Sequence, residues 1–347
     1  MTTNISNTTS WQVDENDFPK EGTLHERVEF ILNYALFASS LYESQPWQFV
    51  ISEEANEINI YADHSRWLQI ADPDKCGLHV SLGCALENLL IAIDYFGLGH
   101  RSVAYMPEPD NQEWVVRVQL GVANESTAPR PHWLFPAIDH NQSRVCEFKD
   151  QILTQDDLTE ILDFEHIYEE EHMTHRIALD SFDEQQKQTL LSLINDSDVA
   201  LFSNAGFRHE LSGLLAEVQY YNPLFSDEFN SLATDSEVGN KIAKKESEIV
   251  AKASYIGVLS CNYDNPTAAV KAGQMFERIS LQATLRGVGV YPIFQLLCTQ
   301  ESKTSLEKIL PELEGYPHLV FAMGYVEQQV DLSLMPRIPL KQLMRQA

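Results

Sequence analysis

The chain has 347 residues, 44% of them hydrophobic, which is enough to bury one large core or two medium ones. Its 24 basic and 51 acidic residues give a formal net charge of −27, which disfavours nucleic acid and anionic membranes as partners because both need a basic surface. The five cysteines form no C-x-x-C pair and no apolar run approaches 18 residues, so we expect no metal site, no disulfide framework and a soluble, cytoplasmic protein.

Hydrophobic periodicity predicts the elements of a first half. Residues 1–20 are polar and aperiodic and are predicted to form a mobile arm. Apolar spacing from residue 24 to about 37 predicts a helix, and alternation over 48–63 predicts two strands around a turn. A helix over 78–95 and two more strands over 101–122 follow. A Pro-rich segment then marks the end of this half, which we place at 21–135.

The second half, 136–347, is predicted to be α+β as well. Thr154 precedes an acidic first turn and is predicted to cap a helix. The remaining elements are predicted as a strand near 177–179, helices over 183–195 and 207–221, a strand over 255–263, helices over 268–286 and 293–298, and a strand over 318–326. The polar stretch 223–253 is predicted to be an insertion or lid.

One helical motif occurs twice in the chain. Gly83–Gly99 (GCALENLLIAIDYFGLG) aligns without a gap with Gly273–Gly289 (GQMFERISLQATLRGVG), sharing the first Gly, a Glu four residues later and the final G-x-G. Any buried helix that ends in a Gly cap could show this period. The shared positions instead favour an internal duplication, which would give two pseudo-symmetric halves with a site at their seam.

The loop between the first helix and the first strand has a composition unlike simple packing. Ser39, Ser40, Gln45 and Trp47 lie within SSLYESQPW. Hydroxyls, an amide and an aromatic wall suit contacts to a flat ring with polar edges. Alternatively, the serines satisfy orphan helix carbonyls and the Trp fills the core.

A second candidate set contains arginine. Asn141, Ser143 and Arg144 open the second half, and Arg337 lies near the C-terminus. A guanidinium flanked by donors can bind a phosphate with two hydrogen bonds. Each arginine could equally form a surface ion pair.

The order of several motifs resembles the nitroreductase family of flavoproteins. The run A-S-S-x4-Q-P-W-x-F at 38–49 is similar to the family signature P-S-x-x-N-x-Q-P-W-x-F. It is followed by D-x-x-R, D-P, G-x-A-x-x-N-L and a terminal stretch from 324 to 340 that resembles G-Y-P … R-x-P-L. The most similar branch is the Acg-like one, in which a single chain resembles two fused protomers. The resemblance implies a nitroreductase-like fold of two pseudo-symmetric halves, each a mainly antiparallel sheet with helices.

The resemblance also implies non-covalent FMN between the halves. Electrons would pass from NAD(P)H through the flavin to a flat acceptor such as a nitroaromatic or a quinone, with no catalytic side chain. One site per chain is expected, in a monomer that is an internal pseudo-dimer or in a homodimer. The implied cofactor contacts are Ser39, Ser40, Gln45 and Trp47 near the ring, with Asn141, Ser143, Arg144 and Arg337 around the phosphate.

Two departures keep alternatives open. Glu43 stands where relatives carry Asn, and His140 and Asn141 stand near the position of the first phosphate-binding Arg. A non-catalytic protein that binds or stores FMN is therefore one alternative, and a degenerate nitroreductase fold without a cofactor is another.

Overall fold

A computed structural model describes residues 13–108, 110–141, 147–162, 174–177, 184–217, 231–232, 235, 237–311, 313–327 and 337–345. Within them the chain forms two four-stranded antiparallel sheets that pack with helices. The predicted α+β class is therefore confirmed.

The strands and helices are numbered in chain order. The strands are β1 (Trp47–Ser52), β2 (Glu57–Ala62), β3 (His100–Tyr105), β4 (Trp114–Leu120), β5 (Thr174–Ile177), β6 (Tyr255–Cys261), β7 (Val288–Pro292) and β8 (Tyr316–Tyr325). The helices are α1 (Leu24–Ala35), α2 (Cys76–Tyr95), α3 (Gln155–Leu162), α4 (Glu184–Ser203), α5 (Ala205–Glu217), α6 (Val238–Ala251), α7 (Pro266–Thr284), α8 (Gln300–Ile309) and α9 (Leu340–Leu343).

The two sheets have the same topology. The first has the order β1-β2-β4-β3 with α2 between β2 and β3 along the chain, and the second has the order β5-β6-β8-β7 with α7 between β6 and β7. Each sheet therefore consists of four strands interrupted at the same point by a long central helix.

Local signals explain where several helices begin. The Oγ1 of Thr23 accepts a hydrogen bond from the Glu26 N–H (3.2 Å), while the Glu26 carboxylate accepts one from the Thr23 N–H (2.7 Å), which is a capping box for α1. Thr154 caps α3 as predicted, accepting from the Asp157 N–H at 3.1 Å. Asn265 caps α7, which begins with a proline.

The α2 helix lies in the middle of the protein. By length and hydropathy it could cross a membrane, but 94% of its most apolar 18-residue stretch is buried inside the protein. Its apolar composition is therefore explained by packing on all sides.

The two central helices cross at Gly83 and Gly273. A Cβ on Gly83 would lie 1.9 Å from the carbonyl oxygen of Val270, and a Cβ on Gly273 would lie 2.0 Å from that of Val80. Each glycine thus touches the residue three positions before the other glycine. This reciprocity is the contact pattern of a two-fold interface.

The sheets differ in what joins their first two strands. A turn at 53–56 joins β1 to β2, whereas α4, α5 and α6 lie between β5 and β6. Residues 223–230 of the predicted insertion or lid lie outside the described residues. Residues 238–251 form α6, whose Ile242 and Val250 are buried in a second hydrophobic core with α4. This part of the predicted lid is therefore a packed helix.

Both ends of the described chain contact the first half. Residues 1–12 of the predicted arm lie outside the described residues, but Phe18 is buried and stacks on Phe96 with ring centroids 4.4 Å apart. Near the C-terminus the Arg345 N–H donates to the carbonyl of Phe49 in β1 at 2.9 Å. The C-terminal segment thus returns to the first sheet, and the division at residue 135 stays a prediction.

Candidate functional site

The predicted ring-binding loop between α1 and β1 is buried and conformationally constrained. Tyr42, Glu43 and Gln45 have φ angles of 45°, 55° and 47°, in the left-handed region that is costly for residues other than glycine. The Gln45 N–H donates to the Ser40 hydroxyl at 3.1 Å, which closes the loop on itself. Such strain persists only where the surroundings fix the backbone.

A carboxylate of α7 joins this loop to the start of the second half. The buried Glu277 accepts hydrogen bonds from the Ser39 N–H (3.3 Å), the Asn88 amide (3.0 Å) and the Asn141 amide (3.1 Å). Asn141 also accepts from the Ser280 hydroxyl at 2.7 Å. Ser39 and Asn141, which are 102 positions apart in the sequence, therefore meet at one side chain.

The matching glutamate of α2 has a different environment. Glu87 accepts from the Gln274 amide and from the Arg278 Nε, each at 3.0 Å, and the Arg130 Nε lies 3.4 Å away. Burial raises the pKa of Glu87, but Arg278 and Arg130 outweigh it, so that the pKa lies below its usual value. No arginine or lysine of the described chain pairs with Glu277, and burial, only partly opposed by hydrogen bonds, raises its pKa.

The C-terminal segment covers the other side of the loop. The Arg337 guanidinium donates to the Glu43 carboxylate, and both side chains are buried. The Ile338 N–H donates to the Gln45 side-chain oxygen at 3.0 Å. The residue that departs from the family pattern, Glu43, is therefore the partner of the arginine that was predicted to bind phosphate.

The structure brings most of the described candidates together. Ser39, Ser40 and Gln45 lie in the loop, with Asn141 and Arg337 connected to it through the contacts above. Ser143 and Arg144 lie outside the described residues. Trp47 is fully buried in the first hydrophobic core, and its Nε1 has no hydrogen-bond partner in the described chain. Its ring packs in this core, and its predicted contact with the cofactor stays a prediction.

Glu277 was not among the predicted site residues. The signal was present, because this glutamate and Glu87 are the shared Glu of the repeated motif. Its partners could not be read from the motif, since Ser39 and Asn141 come from other elements. The carboxylate is nevertheless a residue at which Ser39, Asn88 and Asn141 share one hydrogen-bond network.

The hydrogen-bonding groups of this site are of the kinds that can bind a flavin mononucleotide. Hydroxyl, amide and backbone N–H groups can pair with a polar ring edge, and a guanidinium can pair with a phosphate. In the described arrangement Arg337 is neutralised by Glu43, and Gln45 accepts from Ile338. A phosphate at Arg337 would therefore compete with the carboxylate of Glu43.

No family model and no curated protein matches the chain. Among solved structures it is similar to a nitroreductase-like family protein from Bacillus cereus, with 14% identity, a TM-score of 0.37, and coverage of 62% of this chain and 95% of that one. It is also similar to a nitroreductase with bound FMN from Desulfitobacterium hafniense (15% identity, TM-score 0.39, 62% and 97% coverage). A third match is the FMN-dependent nitroreductase NfnB from Mycobacterium smegmatis in complex with NADPH (11% identity, TM-score 0.42, 62% and 98% coverage). At these identities and TM-scores, the functional assignment depends on the residues of the site itself.

Proposed function

We propose that the chain is an FMN-dependent oxidoreductase of nitroreductase type. NAD(P)H would reduce the flavin, and the electrons would pass to a flat acceptor such as a nitroaromatic or a quinone. One observation carries the proposal: the loop that holds the Q-P-W motif meets Asn141 through Glu277, and Arg337 through Glu43. These are segments in which the sequence resembles the flavin-binding parts of the family.

The cofactor would supply the redox chemistry, and the side chains would bind and orient it. Arg337 would bind the phosphate, together with Ser143 and Arg144 if the family pattern holds for those two residues. Ser39, Ser40 and Gln45 would face the polar edge of the ring. Glu277, whose pKa is raised by burial, would hold the Ser39 backbone in place through its hydrogen bond.

We further propose an Acg-like arrangement in which the two halves are a duplicated and fused unit. The identical strand order of the two sheets and the reciprocal contacts of Gly83 and Gly273 support it. The two sides of the crossing carry different chemistry. Arg278 and Arg130 surround Glu87 on one side, while the serine loop meets Glu277 on the other. This asymmetry supports a single flavin site per chain.

Turnover distinguishes this function from the alternatives. The full chain, incubated with FMN and then freed of unbound flavin, should oxidise NADPH or NADH in the presence of a quinone or a nitroaromatic acceptor. Bound FMN that neither nucleotide reduces under anaerobic conditions would instead indicate storage. A chain that retains no FMN would be the degenerate, cofactor-free fold.

A further inference from the structure

A cavity of about 380 Å³ lies at the surface beside the N-terminal segment. Its volume is in the range of small-molecule sites, roughly 300–1,000 Å³. It lies near the C-terminal end of α2, where Tyr95 is one of its lining residues. Along the helix axis Tyr95 is about 21 Å from Ser81, the α2 residue that contacts the loop between α1 and β1. The Ser81 hydroxyl accepts from the Leu41 N–H, in the loop between α1 and β1, at 3.0 Å. The cavity is therefore separate from the loop side of the proposed flavin site.

Aromatic rings form the walls of this cavity. Tyr95 and Phe135 are stacked with centroids 3.7 Å apart and an interplanar angle of 6°, and Tyr34 lies 4.6 Å from Phe135. All three line the cavity. Aromatic faces attract a cation that sits over them, because the ring faces are electron-rich.

Carboxylates surround these rings. Asp14, Glu15 and Asp139 line the cavity, and Glu15 accepts a hydrogen bond from the Tyr95 hydroxyl at 2.6 Å. Among the described lining residues, His140 is the only side chain that can carry a positive charge. The cavity is therefore negatively charged as well as aromatic.

Tyr34 adds a polar group to the wall of the cavity. Its side chain is only 3% exposed and lines the cavity, and its hydroxyl makes no hydrogen bond to any residue that the structure describes. Burial raises the pKa of Tyr34, and the nearby carboxylates of Asp139 and Glu15 raise it further, so the hydroxyl stays neutral. A neutral phenol oxygen can accept a hydrogen bond from an N–H donor.

We propose that this cavity binds a protonated organic amine that carries an apolar chain or ring. The ammonium group would meet Glu15 and Asp139 and donate to the Tyr34 hydroxyl. The apolar part would lie against Tyr95 and Phe135. An anionic ligand is disfavoured by the three carboxylates, and a neutral apolar ligand would form neither an ion pair with them nor a hydrogen bond with the Tyr34 hydroxyl.

Isothermal titration calorimetry of the full chain with 2-phenylethylammonium tests this proposal. We expect binding, and we expect the neutral analogue 2-phenylethanol to bind at least about tenfold more weakly because it lacks the charge. Tyr34→Phe removes only the hydroxyl, and Glu15→Gln removes one charge. Each should weaken binding of the amine about tenfold.

Asp17→Asn is the matched control. Asp17 belongs to the same short 3-10 helix as Glu15 and is exposed, but it does not line the cavity, so its removal should leave the affinity unchanged. Circular dichroism should show that all variants stay folded. Three results would overturn the proposal: no heat of binding of the amine, equal affinity of the wild type for the amine and the alcohol, or wild-type affinity for the amine in the folded Tyr34→Phe and Glu15→Gln variants.

Discussion

Among individual residues, Glu43 and Arg337 form a buried ion pair at the proposed flavin site. Two charges taken out of water are stable only as a pair, and removing one leaves the other unpaired at a considerable cost. The same pair holds the C-terminal segment against the loop. Glu43 is therefore paired with the guanidinium that a flavin phosphate would use.

Glu43→Gln should strengthen FMN binding. The substitution keeps the shape of the side chain but removes the anion that competes with the phosphate. A charge-assisted contact is worth about 1.5–3 kcal/mol, so the affinity should rise by roughly one to two decades. Quenching of FMN fluorescence measures it, with Glu54→Gln, an exposed carboxylate in the turn after β1, as the control. Unchanged or weaker binding in Glu43→Gln would show that the phosphate does not use Arg337.

Some of this site could be predicted from the sequence and some could not. The loop composition and the departure at Glu43 were visible because they are local. Its pairing with Arg337 was not, because the two residues are 294 positions apart and nothing local marks them as partners. Glu277 was visible as part of a repeat, but its role depends on side chains that the fold brings to it.

Among the elements, the crossing of α2 and α7 determines how closely the halves approach. Gly83 places α2 directly against a carbonyl of α7, and Gly273 does the same in reverse. A methyl group at either position cannot be accommodated unless the helices separate.

Gly83→Ala should lower the free energy of unfolding by about 3 kcal/mol, in the upper range for overpacked cores, because its Cβ would meet backbone rather than a flexible side chain. Gly213→Ala in α5 is the matched control, since its Cβ meets nothing within 4 Å. Alanine in a helix should stabilise this control by about 0.5–1 kcal/mol. Urea unfolding measures the free energy of unfolding of both variants. Similar values for Gly83→Ala and Gly213→Ala would contradict the close approach of the helices.

His79 in the first turns of α2 should make stability depend on pH. Burial lowers the pKa of His79 to about 4, and its Nδ1 lies 2.7 Å from the Lys75 carbonyl oxygen. In the unfolded chain this imidazole takes up a proton near pH 6.5, whereas in the folded chain it does so only near pH 4. The contribution of neutral His79 to the free energy of unfolding is therefore complete above pH 6.5 and is lost as the pH falls towards 4. The loss amounts to about 3 kcal/mol.

The measurement is the free energy of unfolding of the wild type and His79→Gln between pH 8 and pH 4. Asp72, which caps α2 by accepting from the Gly77 and Leu78 N–H groups at 2.8 Å, titrates in the opposite sense. Burial raises its pKa to about 7, so its contribution grows as the pH falls from 7. The difference between wild type and variant isolates His79, and a constant difference across this range would contradict its buried neutral state.

The elements that sequence patterns predicted well are those with strong local signals. The helix α1, the β1–β2 hairpin and the cap of α3 belong to this group. The packing of α6 was missed because its apolar face is narrow within a polar stretch, and α8 was missed because few of its residues are buried. α4 extends beyond the predicted end at 195 to residue 203, where Leu201 and Phe202 are buried in the second core.

At the scale of the whole molecule, the two sheets are alike and their surroundings are not. The shared strand order agrees with the repeat that the sequence shows, whereas the helices between β5 and β6 have no counterpart in the first sheet. The C-terminal segment joins the halves by returning to β1. The proposed flavin site depends on this return, because Arg337 belongs to the returning segment.

Titration of the full chain with FMN and with riboflavin, followed by visible absorption, is the decisive test of a phosphate-anchored flavin site. We predict a yellow protein with one FMN per chain. We also predict that riboflavin, which lacks the phosphate, binds more weakly, and that the difference reaches roughly one to two decades in Glu43→Gln, where no carboxylate competes for Arg337. Arg337→Ala should abolish that difference, while Arg345→Ala, which removes a more exposed arginine of the same segment, should preserve it. A colourless chain that takes up neither flavin, or equal affinity for both in the wild type, would contradict a phosphate-anchored flavin site at this seam.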